Sequence, residues 1–367
     1  MPRLRALLTI LALLCAALIG AASPVRADTG GAVPFQIAED LHDGALTQVG
    51  SLYIEVGTEY GCGFNWQVAN TPFCGFGYST ATSLDGPWST SQLLFSPTST
   101  DPWTGQSWQT ECGSTGAGCF DARLLQRTGW GANDGVLLLA FTSPADYSRS
   151  RSNAYNFMGC DLSGTTLGCG PGETVGAHGS YNKPSLDYCS GNGDEGFYVG
   201  AGSLDMVCTM SNQTLSMEQL NTWGTGTDGT GATDIAGLTN VEGPGVYQDP
   251  ATGTWLLTAS DVNCGYCTGD GTGYATASSP LGPYTAPANL GFSAPVGGRR
   301  DITATSCGGQ PRTISVVGGV AYQGVDLWTG SRNETGAGVL YSPLTYTPTA
   351  NVAGDGQIWT PPLSYPC

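Results

Sequence analysis

The sequence contains a repeated unit, and a repeat constrains the fold more than any other feature of this chain. Residues 273–285 read GYATASSPLGPYT, and residues 77–89 read GYSTATSLDGPWS. Both stretches begin with Gly-Tyr, continue through small and polar residues, and close on Gly-Pro followed by an aromatic residue. Because they lie far apart in the chain, they indicate one supersecondary unit that is built more than once.

Five hairpin patterns accompany this repeat, each with a short apolar strand, a Gly-rich turn and a second, more apolar strand. The hairpins begin at Ala45, Ala122, Pro184, Gly245 and Thr313. In the third, the turn falls at 191–196 and the returning strand at 197–199. The spacing of about 60–80 residues leaves room for four short antiparallel strands per unit. Radial repetition of such units is a β-propeller, so we predict an all-β fold, a single-domain, disulfide-stabilised five-bladed β-propeller.

Two other patterns bear on the fold. Helical periodicity is nearly absent, and the one modest candidate helix covers 216–223. A β-sandwich is the alternative architecture, but a sandwich should show turns every 8–12 residues or so without a longer period. The longer period and the repeated Gly-Tyr to Gly-Pro stretch therefore favour the propeller.

The N-terminus has the pattern of an export signal. Arg3 and Arg5 precede an apolar run over 6–19, and Val25 and Ala27 fit the small-residue cleavage rule. We expect residues 1–27 to be a signal peptide and residues 28–367 to be the propeller domain of a secreted, extracellular protein. An uncleaved membrane anchor is the alternative, but a span usually needs about 20 apolar residues.

The sequence has few charged residues, and most of them are acidic. Only 11% of residues are charged, and the formal net charge is −17. A surface of this kind cannot neutralise phosphates, which argues against nucleic acid and against anionic membranes as partners. We expect a monomer that binds a neutral partner.

Twelve cysteines follow the predicted signal peptide, and an even number in an exported protein indicates disulfides. Sequence alone does not fix the pairing, but the spacings suggest that neighbours pair in order. The suggested pairs are 62–74, 112–119, 160–169, 189–208, 264–267 and 307–367. Cys264-Gly-Tyr-Cys267 has the spacing of a redox motif, yet no βαβ pattern surrounds it. No second CxxC motif or histidine pair completes a zinc site.

Polar or charged residues stand where the innermost strand of each predicted blade begins, and these strand starts converge on one axial funnel. The candidates in chain order are His42 and Asp43 in blade one, Asp121 in blade two, Lys183 in blade three, Glu242 in blade four, and Gln310 in blade five. Asp43 and Glu242 provide the two carboxyl groups of a glycosidase, in which one protonates the leaving oxygen and the other activates water. Trp328, at the end of a blade-five strand, offers an aromatic face for a sugar ring.

Structural roles remain open for each candidate. Glu242 could be a surface carboxylate beside a turn, and Asp43 could cap a turn. Asp121 could pair with Arg123, and Lys183 could be an ion-pair partner inside the funnel. His42 could form a local hydrogen bond at the start of blade one, and Trp328 could belong to the core.

The five hairpins, the Glu242-Gly243-Pro244 sequence and the 273–285 stretch resemble glycoside hydrolase family 43. The resemblance implies a five-bladed propeller and an inverting mechanism. It also implies a base Asp opening blade one, an Asp on blade three that tunes the pKa of the acid, and an acid Glu opening blade four. On this resemblance Asp43 is the base and Glu242 is the acid.

Two positions depart from the family pattern. Lys183 precedes Pro184-Ser185-Leu186 where the family often has Asp. A cation there would lower the pKa of a neighbouring carboxyl, which is the wrong direction for a general acid. Gln310 stands where many members have a His that helps to hold an axial metal. The Gln resembles the exo-β-1,3-galactanase branch, in which the blade-one Asp is lost and a Gln has been implicated instead. Nothing in the sequence requires a cofactor, and an axial calcium ion is left open.

These observations predict a secreted glycoside hydrolase acting on plant-type polysaccharides or oligosaccharides that contain arabinose, xylose or galactose. Glu242 and Asp43 are predicted to be catalytic. The residues predicted to bind substrate are Lys183, Asp121, Gln310, Trp328 and His42. The main alternative, motivated by Lys183, is a carbohydrate-binding propeller without catalysis. A third hypothesis is a secreted scaffold or adhesion protein without a sugar site.

Overall fold

The structure is a computed structural model, and it describes residues 32–127, 135, 137–144, 153–170, 181–191, 193–221, 224–286, 291–294, 299–348 and 361–367. The predicted signal peptide lies outside these ranges. No helix within them is long and apolar enough to cross a membrane. Five sheets of four or five strands and one two-stranded sheet make up nearly all of the regular structure.

Each large sheet is one blade, and the strands are numbered in chain order. Strand β1 is Phe35–Ile37. Blade one contains β2 His42–Val49, β3 Leu52–Thr58, β4 Phe76–Ala81 and β5 Gln92–Leu93. Blade two contains β6 Phe120–Gln126, β7 Leu137–Thr142, β8 Tyr155–Ser163, β9 Thr166–Cys169 and β10 Tyr181–Asn182. Blade three contains β11 Glu195–Gly200, β12 Ser203–Thr209, β13 Leu215–Leu220 and β14 Thr227–Ala232. Blade four contains β15 Val241–Gln248, β16 Trp255–Asp261, β17 Gly271–Ala277, β18 Phe292–Ser293 and β19 Arg300–Asp301. Blade five contains β20 Gln310–Val317, β21 Val320–Leu327 and β22 Gly338–Pro343. The two-stranded sheet is β23 Thr345–Tyr346 and β24 Leu363–Ser364.

The blades are arranged as a closed ring. The innermost strands contact one another: β2 packs against β6 and β20, and β15 packs against β11 and β20. Blade five is completed by β1, which pairs antiparallel with β22 so that Phe35 lies opposite Tyr341. A strand from near the start of the chain thus finishes the last blade, which is one way a propeller protects its sheet edges.

The apolar core is divided among the interfaces between neighbouring blades. Phe76 of blade one packs on Phe141 of blade two with ring centroids 4.9 Å apart. Tyr198 of blade three packs on Trp255 of blade four at 4.7 Å. The short helix α1, Trp108–Gly113, adds its buried Trp108 to the interface between blades one and two.

A β-bulge interrupts the innermost strand of four blades close to its start. The register shifts lie between His42 and Ala45, Phe120 and Arg123, Glu242 and Gly245, and Pro311 and Ile314. Within three of these bulges the backbone is left-handed, with φ of 52° at Asp43, 62° at Asp121 and 60° at Gly243. Bulges re-aim side chains, so the residues at these strand starts no longer follow simple alternation.

The repeat and the cysteine pairing are confirmed. Stretches 77–89 and 273–285 each form a third strand and the turn that follows it, with matching hydrogen bonds from Ser89 N to Thr80 O (2.9 Å) and from Thr285 N to Thr276 O (2.8 Å). All six suggested disulfides are present. Hairpins one, two, four and five form the two inner strands of their blades, as predicted.

The third hairpin was placed wrongly. Blade three begins at Glu195, and the turn between its first two strands is at Ala201 and Gly202, where Gly202 has a φ of 80°. The Gly-rich segment 191–196, interpreted as that turn, instead leads into β11 and includes its start. The predicted helix at 216–223 is also wrong, because residues 215–220 form β13 in the middle of blade three.

Candidate active site

A cavity of about 130 Å³ opens at the end of the ring where the innermost strands begin. Its walls come from all five blades and from two loops, one within blade one and one between β16 and β17. The lining residues are Asp43, Trp66, Phe120, Asp194, Glu242, Gly243, Cys264, Gly265, Tyr266, Gln310, Pro311, Arg312, Asp326 and Trp328.

Four carboxyl residues line this cavity. Asp326 lies 3.4 Å from the guanidinium group of Arg312, and the other three, Asp43, Asp194 and Glu242, come from blades one, three and four. The bulge at Asp43 directs its backbone N–H to the carboxylate of Asp326, 3.2 Å from each oxygen. Its carbonyl oxygen accepts a 2.7 Å hydrogen bond from Arg123. Both contacts fix the backbone of Asp43 and leave its own carboxyl group to the cavity.

Asp194 connects blades three and four. It directly precedes β11, and its Oδ2 accepts a 2.7 Å hydrogen bond from the backbone N–H of Gly243. Gly243 follows Glu242 and holds the left-handed conformation that glycine adopts without strain. The start of blade four, which carries Glu242, is therefore anchored on the carboxyl of Asp194.

Glu242 is held through one of its two oxygens. Its Oε1 accepts hydrogen bonds from the backbone N–H of Cys264 at 3.0 Å and from Nε2 of Gln310 at 2.6 Å. Gln310 is held in turn by Trp328, whose indole N–H donates to Gln310 Oε1 at 2.8 Å. Residues of blades four and five thus form a continuous chain of hydrogen bonds that ends at Glu242.

The carboxyl groups differ in their electrostatic surroundings. Burial, and then the charge of Asp194, raises the pKa of Glu242 to about 9. Burial and the same neighbour raise the pKa of Asp43 to about 8, but the guanidinium groups of Arg123 and Arg312 act in the opposite direction on Asp43. Burial also raises the pKa of Asp194. No cation is among the main groups that shift the pKa of Glu242, whereas Arg123 lowers the pKa of both Asp43 and Asp194.

Two buried arginines support the floor of the cavity. Arg123 pairs with Asp121 at 3.1 Å and donates from Nε to the carbonyl oxygen of Glu195 at 3.0 Å. Arg312 pairs with Glu55 at 2.7 Å and lies 3.4 Å from Asp326. These pairs neutralise carboxylates that would otherwise stand uncompensated beside the cavity.

Aromatic rings form much of the cavity wall. Tyr266 lies between Trp66 (4.9 Å between centroids) and Trp328 (4.8 Å), and its hydroxyl is 2.7 Å from that of Tyr60. Phe120 is a further apolar wall residue. Apolar ring faces next to a few carboxyl and amide groups match the mixed character of a sugar, which has C–H faces and hydroxyl edges.

Four of the seven predicted site residues line the cavity: Asp43, Glu242, Gln310 and Trp328. The other three do not, and all are buried: His42, Asp121 and Lys183 are 0%, 2% and 2% exposed. His42 bonds Asp40 through Nε2 at 3.1 Å and packs its ring on Tyr60 and Trp328. Asp121 forms an ion pair with Arg123, which is the structural role that the sequence left open for it.

The placement of Lys183 at the start of blade three is wrong. It follows β10, a short strand of blade two, and the residue directly before the first strand of blade three is Asp194. An Asp, not a Lys, therefore stands beside the first strand of blade three. The signal was present in the sequence, because Asp194 and Glu195 come just before the Phe-Tyr-Val-Gly-Ala-Gly-Ser hairpin at 197–203.

Ten of the fourteen lining residues are not among the predicted site residues, and they include Asp194, Trp66, Phe120 and Tyr266. Trp66 and Tyr266 lie on loops whose paths depend on disulfides and contacts between blades. Within the ranges that the structure describes, no group of three or more His, Cys, Asp or Glu residues has an arrangement that could hold a metal ion.

No protein-family model and no curated protein matches this sequence, but its fold is similar to solved structures. An exo-β-1,3-galactanase from Phanerochaete chrysosporium, solved with galactose, aligns with a TM-score of 0.57 and 14% identity over 84% of this chain. A β-1,3-galactosidase of glycoside hydrolase family 43, solved with galactodeoxynojirimycin, gives 0.59 and 11% over 84% of this chain and 92% of its own. The arabinanase of Bacillus subtilis gives 0.51 and 16% over 85% of this chain and 96% of its own.

These similarities show the fold. The chain has the five-bladed propeller of the family 43 enzymes, as the sequence resemblance predicted. It spans 64% of the length of the Phanerochaete chrysosporium galactanase, just under two thirds.

Proposed function

We propose that this protein is a glycoside hydrolase that acts on plant-type polysaccharides or oligosaccharides containing galactose, arabinose or xylose. The observation that carries the proposal is the set of three carboxyl groups in one aromatic-walled cavity, with cations beside Asp43 and none among the groups that shift the pKa of Glu242. β-1,3-Linked galactose is the first substrate to test, because galactanases and a β-1,3-galactosidase have this fold.

The surroundings of the two carboxyls assign their roles. Glu242 keeps its proton at neutral pH, so it is the general acid that protonates the leaving glycosidic oxygen. Asp43 is assigned as the general base, because Arg123 and Arg312 stabilise its carboxylate and so oppose the rise in pKa that burial and the charge of Asp194 cause. Asp194 is the carboxylate whose charge keeps Glu242 protonated and whose hydrogen bond to Gly243 fixes its position.

The proposed reaction is a single displacement. Glu242 transfers its proton to the leaving oxygen as the bond between that oxygen and the anomeric carbon breaks. Asp43 takes a proton from a water molecule that attacks the anomeric carbon from the opposite face. The configuration at that carbon inverts, and proton NMR of the first-formed product will show this directly.

A substrate panel tests the proposal. Purified protein is incubated with β-1,3-galactan, arabinan and xylo-oligosaccharides, and released sugar is quantified for wild type, Glu242→Gln and Asp43→Asn. We expect wild type to release sugar from at least one substrate, and each variant to lose activity by about 10³-fold. Asp161→Asn, which changes an exposed carboxylate on β8, is the matched control and should behave as wild type.

Lack of turnover on every substrate, or full activity of Glu242→Gln, would refute the assignment. Calorimetric binding of an oligosaccharide without any turnover would support the non-catalytic alternative instead. That alternative was motivated by a lysine at the start of blade three, whereas Lys183 follows a strand of blade two and Asp194 directly precedes the first strand of blade three.

We also propose that the mature protein is a single exported domain beginning at residue 28. Six disulfides support an oxidising compartment. N-terminal sequencing of the protein from the culture medium of its producing host tests this, and a product that still carries residues 1–27 would contradict it.

A further inference from the structure

We propose that the disulfide-closed loop 264–267 and the Gln310–Trp328 pair are positioning groups that determine which oxygen of Glu242 carries the transferable proton. The inference rests on the proposed role of Glu242 as the acid. Both groups direct a hydrogen-bond donor at the same oxygen, Oε1, so the proton resides on Oε2.

The chemistry of the two donors requires this arrangement. The backbone N–H of Cys264 and the side-chain amide NH₂ of Gln310 can donate hydrogen bonds but cannot accept them. Oε1 of Glu242 receives both, at 3.0 and 2.6 Å, and therefore acts as an acceptor twice. A proton on Oε1 would face these two donors, whereas a proton on Oε2 meets neither of them.

Trp328 fixes the orientation of Gln310. A Gln side chain could in principle turn either its oxygen or its nitrogen toward a carboxyl group. The indole N–H of Trp328 is a donor only, and it lies 2.8 Å from the Gln310 oxygen. Gln310 must therefore keep its oxygen on Trp328 and its NH₂ group on Glu242.

The loop that carries Cys264 is held at several points. The Cys264–Cys267 disulfide closes it, and Asn263 N–H donates to the carbonyl oxygen of Asn240 at 2.8 Å. Tyr266, within the same loop, meets Tyr60 through their hydroxyls. The Cys264 N–H thus stays in place without any contribution from the substrate, which is the preorganisation that catalytic donors need.

The two donors act mainly when charge develops. As the Oε2 proton moves to the leaving oxygen, the electron pair of the breaking C–O bond stays on that oxygen and Glu242 becomes a carboxylate. The N–H groups on Oε1 stabilise this carboxylate more than they stabilise the neutral acid. Their removal makes Glu242 a weaker acid, and the effect is largest for substrates whose leaving group needs the proton.

Leaving-group dependence provides the test. Trp328→Phe keeps a ring but removes the indole N–H, and Cys264→Ser/Cys267→Ser opens the loop. Each variant is assayed with β-1,3-galactobiose, whose sugar leaving group needs protonation, and with 2,4-dinitrophenyl β-D-galactopyranoside, whose leaving group does not. Arabinofuranosides and xylosides with the same two types of leaving group are run in parallel, and Asp161→Asn is the control.

We expect kcat/KM on the disaccharide to fall by about 10²-fold more than kcat/KM on the dinitrophenyl glycoside in both variants. The alkaline limb of the disaccharide pH profile should also move to higher pH. An equal loss on both substrates, as damage to the fold or a role of Gln310 as the base would give, overturns the inference, and so does no loss on either. If wild type cleaves neither type of glycoside of any of the three sugars, the proposed function itself fails.

Discussion

Replacing Glu242 by Gln should stabilise the protein while it abolishes catalysis. Burial and the neighbouring charge of Asp194 raise the pKa of this carboxyl in the folded state to about 9, whereas its ordinary value is 4.5. A group whose pKa is higher in the folded than in the unfolded state contributes its full stabilisation at pH values below the unfolded-state pKa. This contribution is lost as the pH rises through the folded-state pKa. Glutamine has nearly the same shape but no charge, so it avoids this loss.

The size of the effect follows from the same shift. Each pKa unit corresponds to about 1.4 kcal/mol of differential stability. Part of the shift is repulsion among Asp43, Asp194 and Glu242, and the two aspartates ionise more easily once Glu242 is replaced. We therefore use only one to two pKa units of the shift for the net stabilisation. This gives about 1.4–3 kcal/mol at pH 8, or a rise in Tm of roughly 2–4 °C from the usual unfolding entropy per residue.

The assay is thermal and urea unfolding of wild type, Glu242→Gln and the control Asp161→Asn at intervals from pH 4 to pH 9. The difference between wild type and Glu242→Gln should be small near pH 4.5 and should grow steadily to pH 9. The control should show no such trend, because Asp161 is exposed on the outer part of blade two. A Glu242→Gln protein that is less stable than wild type at pH 8, or a difference independent of pH, would refute the electrostatic reasoning.

Two further predictions follow from the same structure. Asp194→Asn removes the neighbouring charge that does most to raise the pKa of Glu242. The alkaline limb of the pH–rate profile should therefore move down by about one pH unit, and an unchanged or upward-shifted limb would show that Asp194 does not act on the acid. Cys307→Ser/Cys367→Ser opens a crosslink with a sequence separation of 60 and should lower the free energy of unfolding by about 2–4 kcal/mol; an unchanged urea midpoint with unchanged m-value would contradict this.

Much of the ring could be predicted from the sequence, because the first two strands of each blade form a local hairpin with a recognisable sequence pattern. Turns such as Gly318-Gly319 join adjacent strands, and the alternation of apolar residues on either side does not depend on the rest of the fold. Blade three failed for a local reason as well. Gly-rich segments lie at both ends of its first strand, at 191–196 and at 200–202, and the pattern of the first one also predicts a turn. A shift of about ten residues moved Lys183 into a position that belongs to Asp194.

The detailed geometry of the site could be predicted less well. Glu242 and Gln310 were recognised because they stand at strand starts, but their direct hydrogen bond depends on two bulges in different blades. Trp66 and Tyr266 reach the cavity on loops, and no periodicity in the sequence describes the path of a loop. The electrostatic difference between Asp43 and Glu242 depends on which carboxyl lies near the arginines, and only the packed ring determines that.

The closure of blade five has a consequence for how the chain assembles. Strand β1 must find β22 across about 300 residues, whereas most other strand pairs in the described chain join neighbours in sequence. The entropic penalty of closing a long loop grows only slowly with its length, so this arrangement burdens the rate of folding more than the final stability. Until that pairing forms, the outer edge of β22 is an open template for other strands. Four blades can thus be complete while the molecule is still prone to aggregate, and the three residues of β1 decide when that period ends.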